Sequence, residues 1–452
     1  MQEHLVIIGG GAAGAKAAAK ARKQDTDLKI SLYDKNYYIS YSACGLTYYI
    51  ENIIDDYHRL LARSSEKFKE ENIDIYTKHE VINILPNEHK IIVKNIENNT
   101  EFQVEYTKLL IATGTRAFIP KLDRSNFKNV FILRTIDDGI AIKNQILTSK
   151  KAVIIGAGFI GIEAAEAFYN RGLEVIIIEA SSQILSSFDK DIAFQVQEYL
   201  EKEKSIKIIT NDRVKKLISD NNEVKQIETN SGKIIDADTL LLAVGVKPNS
   251  ELAESAGIQL GKTKAIKVNE RMQTNIEDIY AAGDCVEQTN IITQKSTWIP
   301  LGSTSNKQGR IAALNITGKN AKFKGVLGTL ALKVFNYAIT KTGLSEKEAE
   351  ENKYNYEIST ITLKDRAGYY PGVENITIKL MADKLTKKLL GAQIIGKGDA
   401  DKRINILAAA LTANMTVDEL LDVDLSYTPA YSTTIDPVLI AARILQKKIK
   451  NI

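Results

Sequence analysis

Two stretches of the chain repeat one pattern of apolar and polar positions. Leu5–Asp34 reads LVIIGGGAAGAKAAAKARKQDTDLKISLYD, and Ala152–Glu179 reads AVIIGAGFIGIEAAEAFYNRGLEVIIIE. Each starts with an unbroken Val/Ile-rich run, turns on glycines, continues as an Ala-rich helix and ends in a second apolar run closed by an acid. Such runs are strands buried on both faces, as a parallel sheet covered by helices requires. The two stretches therefore predict two βαβ units and two dinucleotide-binding domains. Thr274–Cys285, TNIEDIYAAGDC, is again a strand ending in a Gly-Asp turn, and a helical stretch follows near Ser303–Ile316. The first domain thus resumes after the second. From about Phe323 the pattern becomes alternating strand-like runs (TLALKVFNYAIT, KYNYEISTITL, NITIKLMAD, LLGAQIIG), then two amphipathic helices, Ala400–Ala413 and Thr416–Leu421. The expected division is residues 1–115 with 250–322, an inserted domain at 116–249, and a separate α+β domain at 323–452.

A length of 452 residues agrees with about three domains. With 44% hydrophobic and 26% charged residues, packed cores are expected and long disorder is not. A net charge of +4 is too small and too dispersed to argue for nucleic acid, and it is compatible with an anionic small-molecule substrate. Cys44 and Cys285 are the only cysteines, so no disulfide scaffold holds the fold, and a reducing cytoplasm is the expected setting. The opening MQEHLVIIGGG reads as a first strand and not as a signal peptide, and no apolar run approaches the roughly 18 residues of a membrane span.

The glycine turns carry the first chemistry. Gly9 permits the tight turn, Gly11 lets the backbone approach a pyrophosphate, and Gly14 allows close helix–strand packing. The free N–H groups of the helix start then face the phosphates. Asp34 closes the next strand, where it can accept hydrogen bonds from a ribose diol. Gly156, Gly158, Gly161 and Glu179 repeat the arrangement. One such glycine pattern is weak evidence; two, each in full βαβ context with an acid about 20–25 residues on, are strong. Glu179 suits a free 2′-hydroxyl and repels a 2′-phosphate, so NADH is expected at the second site, with NADPH as the alternative. Gly283-Asp284 after an apolar strand can hold the hydroxyls of a flavin's ribityl chain, and Thr113-Gly114 is a similar strand-to-turn element. Cys44 lies in SYSACGLTYY, ten residues after Asp34, where a helix can begin beneath a flavin ring. A helix N-terminus lowers a thiol pKa and favours the reactive thiolate.

The double glycine pattern, SYSACGL, YAAGD, and the C-terminal YYPG and SYTPAYS together resemble the single-cysteine pyridine nucleotide–disulfide oxidoreductases. That group includes coenzyme A disulfide reductase, NADH oxidase and NADH peroxidase. The resemblance spans essentially the whole chain and is closest to the coenzyme A disulfide reductases. It implies an α/β fold with two Rossmann-like domains, for FAD and NAD(P), and a C-terminal dimerisation domain. It also places Ala12, Ala13, Lys35, Val81, Ile160 and Gly245 in the cofactor sites, with Phe159 gating the nicotinamide and Glu163 positioning it. Dithiol relatives carry a second cysteine five positions after the first; here that residue is Tyr49. They also use a C-terminal histidine, whereas this chain has His4, His58, His79 and His89 and none later. Oxidases and peroxidases of the group usually place a histidine in the first glycine turn, where this chain has Ala12. A disulfide is then the better oxidant, since a thiolate leaving group needs less help.

The resemblance further implies that C-terminal tyrosines of a partner subunit, Tyr427 and Tyr369, protonate the departing thiol in a homodimer. It matches Lys16, Lys20, Lys23, Ser40, Ala43 and Asn306 to substrate contacts. Arg22 and Arg63 add to the basic rim expected for the phosphates of coenzyme A. The expected reaction is NAD(P)H-driven reduction of coenzyme A disulfide through a Cys44–coenzyme A mixed disulfide. The alternatives are a water-forming NADH oxidase cycling through a Cys44 sulfenic acid, a coenzyme A persulfide or polysulfide reductase, and a non-catalytic flavin redox sensor. No metal site and no nucleic-acid or membrane partner is expected.

Overall fold

The structure, a computed structural model, describes residues 3–120 and 127–450. The first repeat folds as strand His4–Ile8, helix Ala12–Gln24 and strand Lys29–Asp34. Its two strands pair in parallel, His4 opposite Lys29 and Ile8 opposite Tyr33. Lys108–Ile111 lies on the other side of His4–Ile8, with Ile279–Ala281 beyond it and Asp74–Thr77 at the opposite edge. The unbroken apolar run has a direct cause. Leu5 and Ile7 pack into the layer of helices Ala12–Gln24 and Gly302–Ile316, while Val6 and Ile8 pack against Val81, Ile84, Ile91 and Val93 on the other face.

The second repeat gives strand Lys151–Ile155, helix Phe159–Asn170 and strand Glu174–Ile178. These join Lys207–Ile209, Thr239–Leu242 and Val130–Phe131 in another five-stranded parallel sheet. Where the chain enters and leaves this unit, Thr115–Ala117 pairs antiparallel with Val246–Pro248.

The C-terminal part is a five-stranded antiparallel sheet in the order Leu330–Val334, Tyr337–Gly343, Leu389–Gly396, Asn375–Asp383, Tyr356–Lys364. The run TLALKVFNYAIT is not one strand but a hairpin turning at Phe335, whose φ is 51°. Helices Ala400–Thr412 and Val417–Leu421 match the expectation, the second started by a Thr416/Glu419 capping box. A third helix, Pro437–Lys450, was not expected. Its signals are local: Pro437 at the first turn, where a missing N–H is harmless, and buried Val438, Ala441, Ala442 and Leu445 at helical spacing.

Among the described residues, two ionic contacts, each centred on one buried side chain, Lys379 and Glu166, fasten this sheet to the second unit. Lys379 meets Asp189 at 3.1 Å, Asp191 at 2.8 Å, and Glu346. Those three carboxylates are close enough to suggest a metal, but the Lys379 ammonium is the cation they share. The second contact joins Glu166 to Lys333. Among the described residues no helix is long and apolar enough to cross a membrane.

Candidate active site

The two glycine turns close in the same way. Gly9 and Gly156 both have φ of 102°, which an L side chain rarely adopts, and a Cβ there would collide with the carbonyls of Ala112 and Ala243. A Cβ on Gly14 would collide with Gly9 O, and one on Gly161 with Gly156 O. Gly11 and Gly158 differ: a Cβ on either would meet no protein atom within 4 Å. Nothing among the described residues requires glycine at these two positions, so the open space is what a pyrophosphate approaching each helix start needs. The residues present therefore fit two dinucleotides. Ala12 is exposed at the first helix start, whereas Ala13 is buried where Gly309 of the neighbouring helix comes close.

The acids at the strand ends also match. Asp34 Oδ2 accepts the Gly10 N–H at 2.7 Å, and its Oδ1 accepts from the Asn36 backbone and side chain. Burial raises the Asp34 carboxyl above its ordinary range despite these donors. Glu179 accepts from Ala157 N at 2.8 Å and Ser181 N at 2.7 Å. Each acid thus braces its own glycine turn. Lys35 is exposed and pairs with Glu80 at 3.6 Å, and Val81 is buried beside a strand irregularity.

Asp284 follows Gly283 at the end of Ile279–Ala281, accepts from Ser305 Oγ at 2.6 Å and lies 3.5 Å from Arg134. Thr113 Oγ donates to Asn249 O at 2.7 Å, and Gly114 takes φ of 65°. Gly245, φ 105°, has open space where its Cβ would be. Arg134 and Ser305 were not expected from the sequence. Arg134 precedes the Thr135/Asp138 capping box, a local signal of a helix start but not of a site. Only the fold brings it to Asp284 and to Tyr41, whose phenol burial pushes up to about 12.

Cys44 lies in a 3₁₀ turn, Ala43–Gly45, that runs into helix Leu46–Glu51. Cys44 is exposed, yet the protein around its sulfur still desolvates the thiol. The thiol pKa is raised and not lowered as the helix argument expected. Burial is the larger cause and the Glu163 carboxylate the next, with Arg134 opposing both. Burial, then Glu166, pushes Glu163 itself up to about 7. Phe159 opens the second helix and meets Phe188 edge-on at 6.3 Å, followed by Ile160. The four histidines are engaged elsewhere: His4 with Ser31, His58 with Asp56, His79 with Thr77 O, and His89 against the Tyr106 ring.

Lys16, Lys20 and Lys23 lie along helix Ala12–Gln24, and Asn306 is exposed on the helix packed against it. Ser40 takes φ of 51°, its N–H donating to Gly10 O at 2.7 Å, so it joins the first glycine turn to the segment carrying Ala43 and Cys44. Arg22 is a correction. Its guanidinium donates to the carbonyls of Asp25, Thr26, Leu28, Glu71 and Asn72, so it fastens loops and is not free to meet a phosphate. Arg63 gives one arm to Glu71 and lies over Phe68.

Tyr427 and Tyr369 are exposed in two C-terminal loops that meet where Ala367 N–H reaches Pro429 O at 3.3 Å. Arg403, 4% exposed, links them further. It donates to Asp365 O at 2.8 Å and Tyr431 O at 3.0 Å, and pairs with Asp436 at 3.0 Å.

The chain matches the pyridine nucleotide-disulphide oxidoreductase family over residues 3–309 and that family's dimerisation domain over residues 329–438. It is 38% identical to an NADH oxidase of Methanocaldococcus jannaschii, covering 99% of both chains. It is 32% identical to a coenzyme A disulfide reductase of Staphylococcus haemolyticus, covering 95% of this chain and 96% of that one. The solved NAD-dependent persulfide reductase of A. fulgidus superposes with a TM-score of 0.96 at 38% identity, covering 99% of this chain and 84% of that one. On these matches, which span nearly its whole length, the chain belongs to the pyridine nucleotide-disulfide oxidoreductases, FAD- and NAD(P)H-dependent enzymes.

Proposed function

We propose that this enzyme reduces coenzyme A disulfide through a mixed disulfide between Cys44 and coenzyme A, with NADH as the preferred donor. One observation carries the proposal: Cys44 is exposed and has no thiol in the chain to pair with. Tyr49 stands where a second cysteine would be, and Cys285 is fully buried against Ile111 O and Ala282 O. The disulfide partner of Cys44 must therefore come from outside the chain.

Bound NADH and FAD supply the hydride and the two electrons that reopen a disulfide on Cys44. The protein's own residues do the rest. The Cys44 thiolate attacks one sulfur of coenzyme A disulfide; the S–S bond breaks, a Cys44–coenzyme A bond forms, and one coenzyme A thiolate leaves. That thiolate takes a proton from Tyr427 or Tyr369 of a partner subunit, in loops linked by Arg403. Arg134 favours the Cys44 thiolate against burial and Glu163, whose combined effect still leaves the thiol pKa raised. Lys16, Lys20 and Lys23 receive the phosphates. Glu179 disfavours a 2′-phosphate, which supports NADH. The matched C-terminal domain supports a homodimer.

Cys44→Ser tests the proposal: disulfide turnover is lost while NADH still reduces the bound FAD, and full disulfide activity in this variant would overturn it. Mass spectrometry of protein purified without reductant should show coenzyme A on Cys44. A bare or oxidised sulfur, with oxygen uptake faster than disulfide turnover, would favour an oxidase. Ala12, in place of the histidine usual in that group, speaks against an oxidase. Coenzyme A persulfide is the second reading, supported by the near-complete overlay on a persulfide reductase. It uses the same nucleotide cradle with hydrosulfide as leaving group, and relative kcat/KM for persulfide and disulfide distinguishes the two.

A further inference from the structure

Helix Phe159–Asn170 carries two carboxylates one turn apart, Glu163 and Glu166. Glu166 is 5% exposed, and both its oxygens are matched: Oε1 pairs with Lys333, and Oε2 accepts the Phe335 N–H at 2.7 Å. Lys333 and Phe335 belong to the first hairpin of the C-terminal sheet, so this carboxylate fastens the hairpin turn to the nucleotide-binding helix. Glu163 is half-buried and makes no hydrogen bond or ion pair among the described residues. The groups facing it are Glu166 on its own helix, Lys333 from the hairpin, and Cys44 and Tyr48 from the turn and helix below, with Glu51 farther along that helix. Burial and then the charge of Glu166 raise the Glu163 carboxyl to about 7, so both its forms are populated near neutral pH, and Lys333 opposes that rise.

We propose that Glu166 and Lys333 are a charge-setting pair for Glu163, through which the C-terminal hairpin decides whether the catalytic cleft presents a neutral carboxyl or a carboxylate. This rests on the reading of that cleft as the place where nicotinamide and flavin meet above Cys44. As a neutral acid, Glu163 donates a hydrogen bond and leaves the Cys44 thiolate without a like charge beside it. As a carboxylate, it accepts a hydrogen bond and disfavours that thiolate. Proton binding at Glu163 and at Cys44 is therefore coupled. Glu166 and Lys333 touch neither sulfur nor cofactor and act as positioning residues.

The test is a pH titration of carboxyl protonation by infrared difference spectroscopy on the holoenzyme without NADH, with the Glu163 band identified by its loss in Glu163→Gln. Glu166→Gln keeps an acceptor for Phe335 N–H but removes the negative charge. It should move the Glu163 midpoint down, on the order of one pH unit. Lys333→Met should move it up, and Lys333→Arg should leave it near the native position. The pH profile of flavin reduction by NADH should shift in the same order. A merely structural role would not move the two variants in opposite directions. Midpoints that stay fixed or move together would overturn the proposal. Absent coenzyme A disulfide turnover, with the opposed shifts intact, would refute the substrate reading alone.

Discussion

Arg403 offers the sharpest test of how the C-terminal loops serve the chemistry. It is 4% exposed and bonds to both loop segments, through Asp365 O on one and Tyr431 O and Asp436 on the other. Arg403→Met leaves the Asp436 carboxylate without its cation. Removing one partner of a buried pair costs about 3–5 kcal/mol. Asp436 keeps Ser432 Oγ at 3.0 Å and Val438 N–H at 2.8 Å, which puts the loss at the lower end, about 3 kcal/mol. That is within the margin of a folded domain, so the variant should fold with a thermal midpoint lowered on the order of 10 °C. Released loops misplace Tyr369 and Tyr427, and a misplaced proton donor costs on the order of 10²-fold. The assay compares steady-state kcat/KM for coenzyme A disulfide with single-turnover reduction of the flavin by NADH. The first should fall about a hundredfold and the second stay within about twofold. Arg403→Lys, which keeps a charge but not the planar fork, should fall between. Equal losses in both half-reactions, or a lowered midpoint with undiminished disulfide turnover, would refute this role.

Three further outcomes follow from the site. Gly11→Ala adds a methyl that meets no protein atom within 4 Å, so the fold should persist while flavin per chain drops; Gly14→Ala, colliding with Gly9 O, should instead lower the thermal midpoint of the apoprotein. Equal flavin content and equal stability in the two variants would contradict the cradle geometry. Glu179→Gln keeps an acceptor for Ala157 N–H but removes the charge, so the kcat/KM ratio of NADPH to NADH should rise roughly tenfold or more; an unchanged ratio would rule out charge as the selector. In apoprotein, the alkylation rate of Cys44 should rise with pH through a midpoint above the ordinary thiol range, because burial and Glu163 disfavour the thiolate. Glu163→Gln removes a negative charge and should bring that midpoint down, whereas Arg134→Met should push it up; shifts of the opposite sign would invert the electrostatic argument.

Residues near one another in the chain were legible without the structure. Both βαβ units, their glycine turns and the acids that close them follow from local rules: β-rich runs that must be covered on both faces, φ values open to glycine, and a strand–turn–helix spacing that fits a pyrophosphate. Cys44 could be picked out by its place just after the first unit, whereas the meaning of Tyr49 and Ala12 came from the resemblance to the single-cysteine reductases. The helix Pro437–Lys450 had local signals too and could have been found. Residues far apart in the chain needed tertiary structure. Arg134 reaches Asp284, and Lys333 reaches Glu166, because separate sheets pack together, and no pattern along the chain encodes either meeting. Arg22 looked like one more cation of a basic helix until five carbonyls from surrounding loops closed around it. The charge state of Cys44 likewise depended on the fold. A helix start favours the thiolate, but desolvation and the Glu163 carboxylate outweigh that local dipole, and Glu163 lies more than a hundred residues away along the chain.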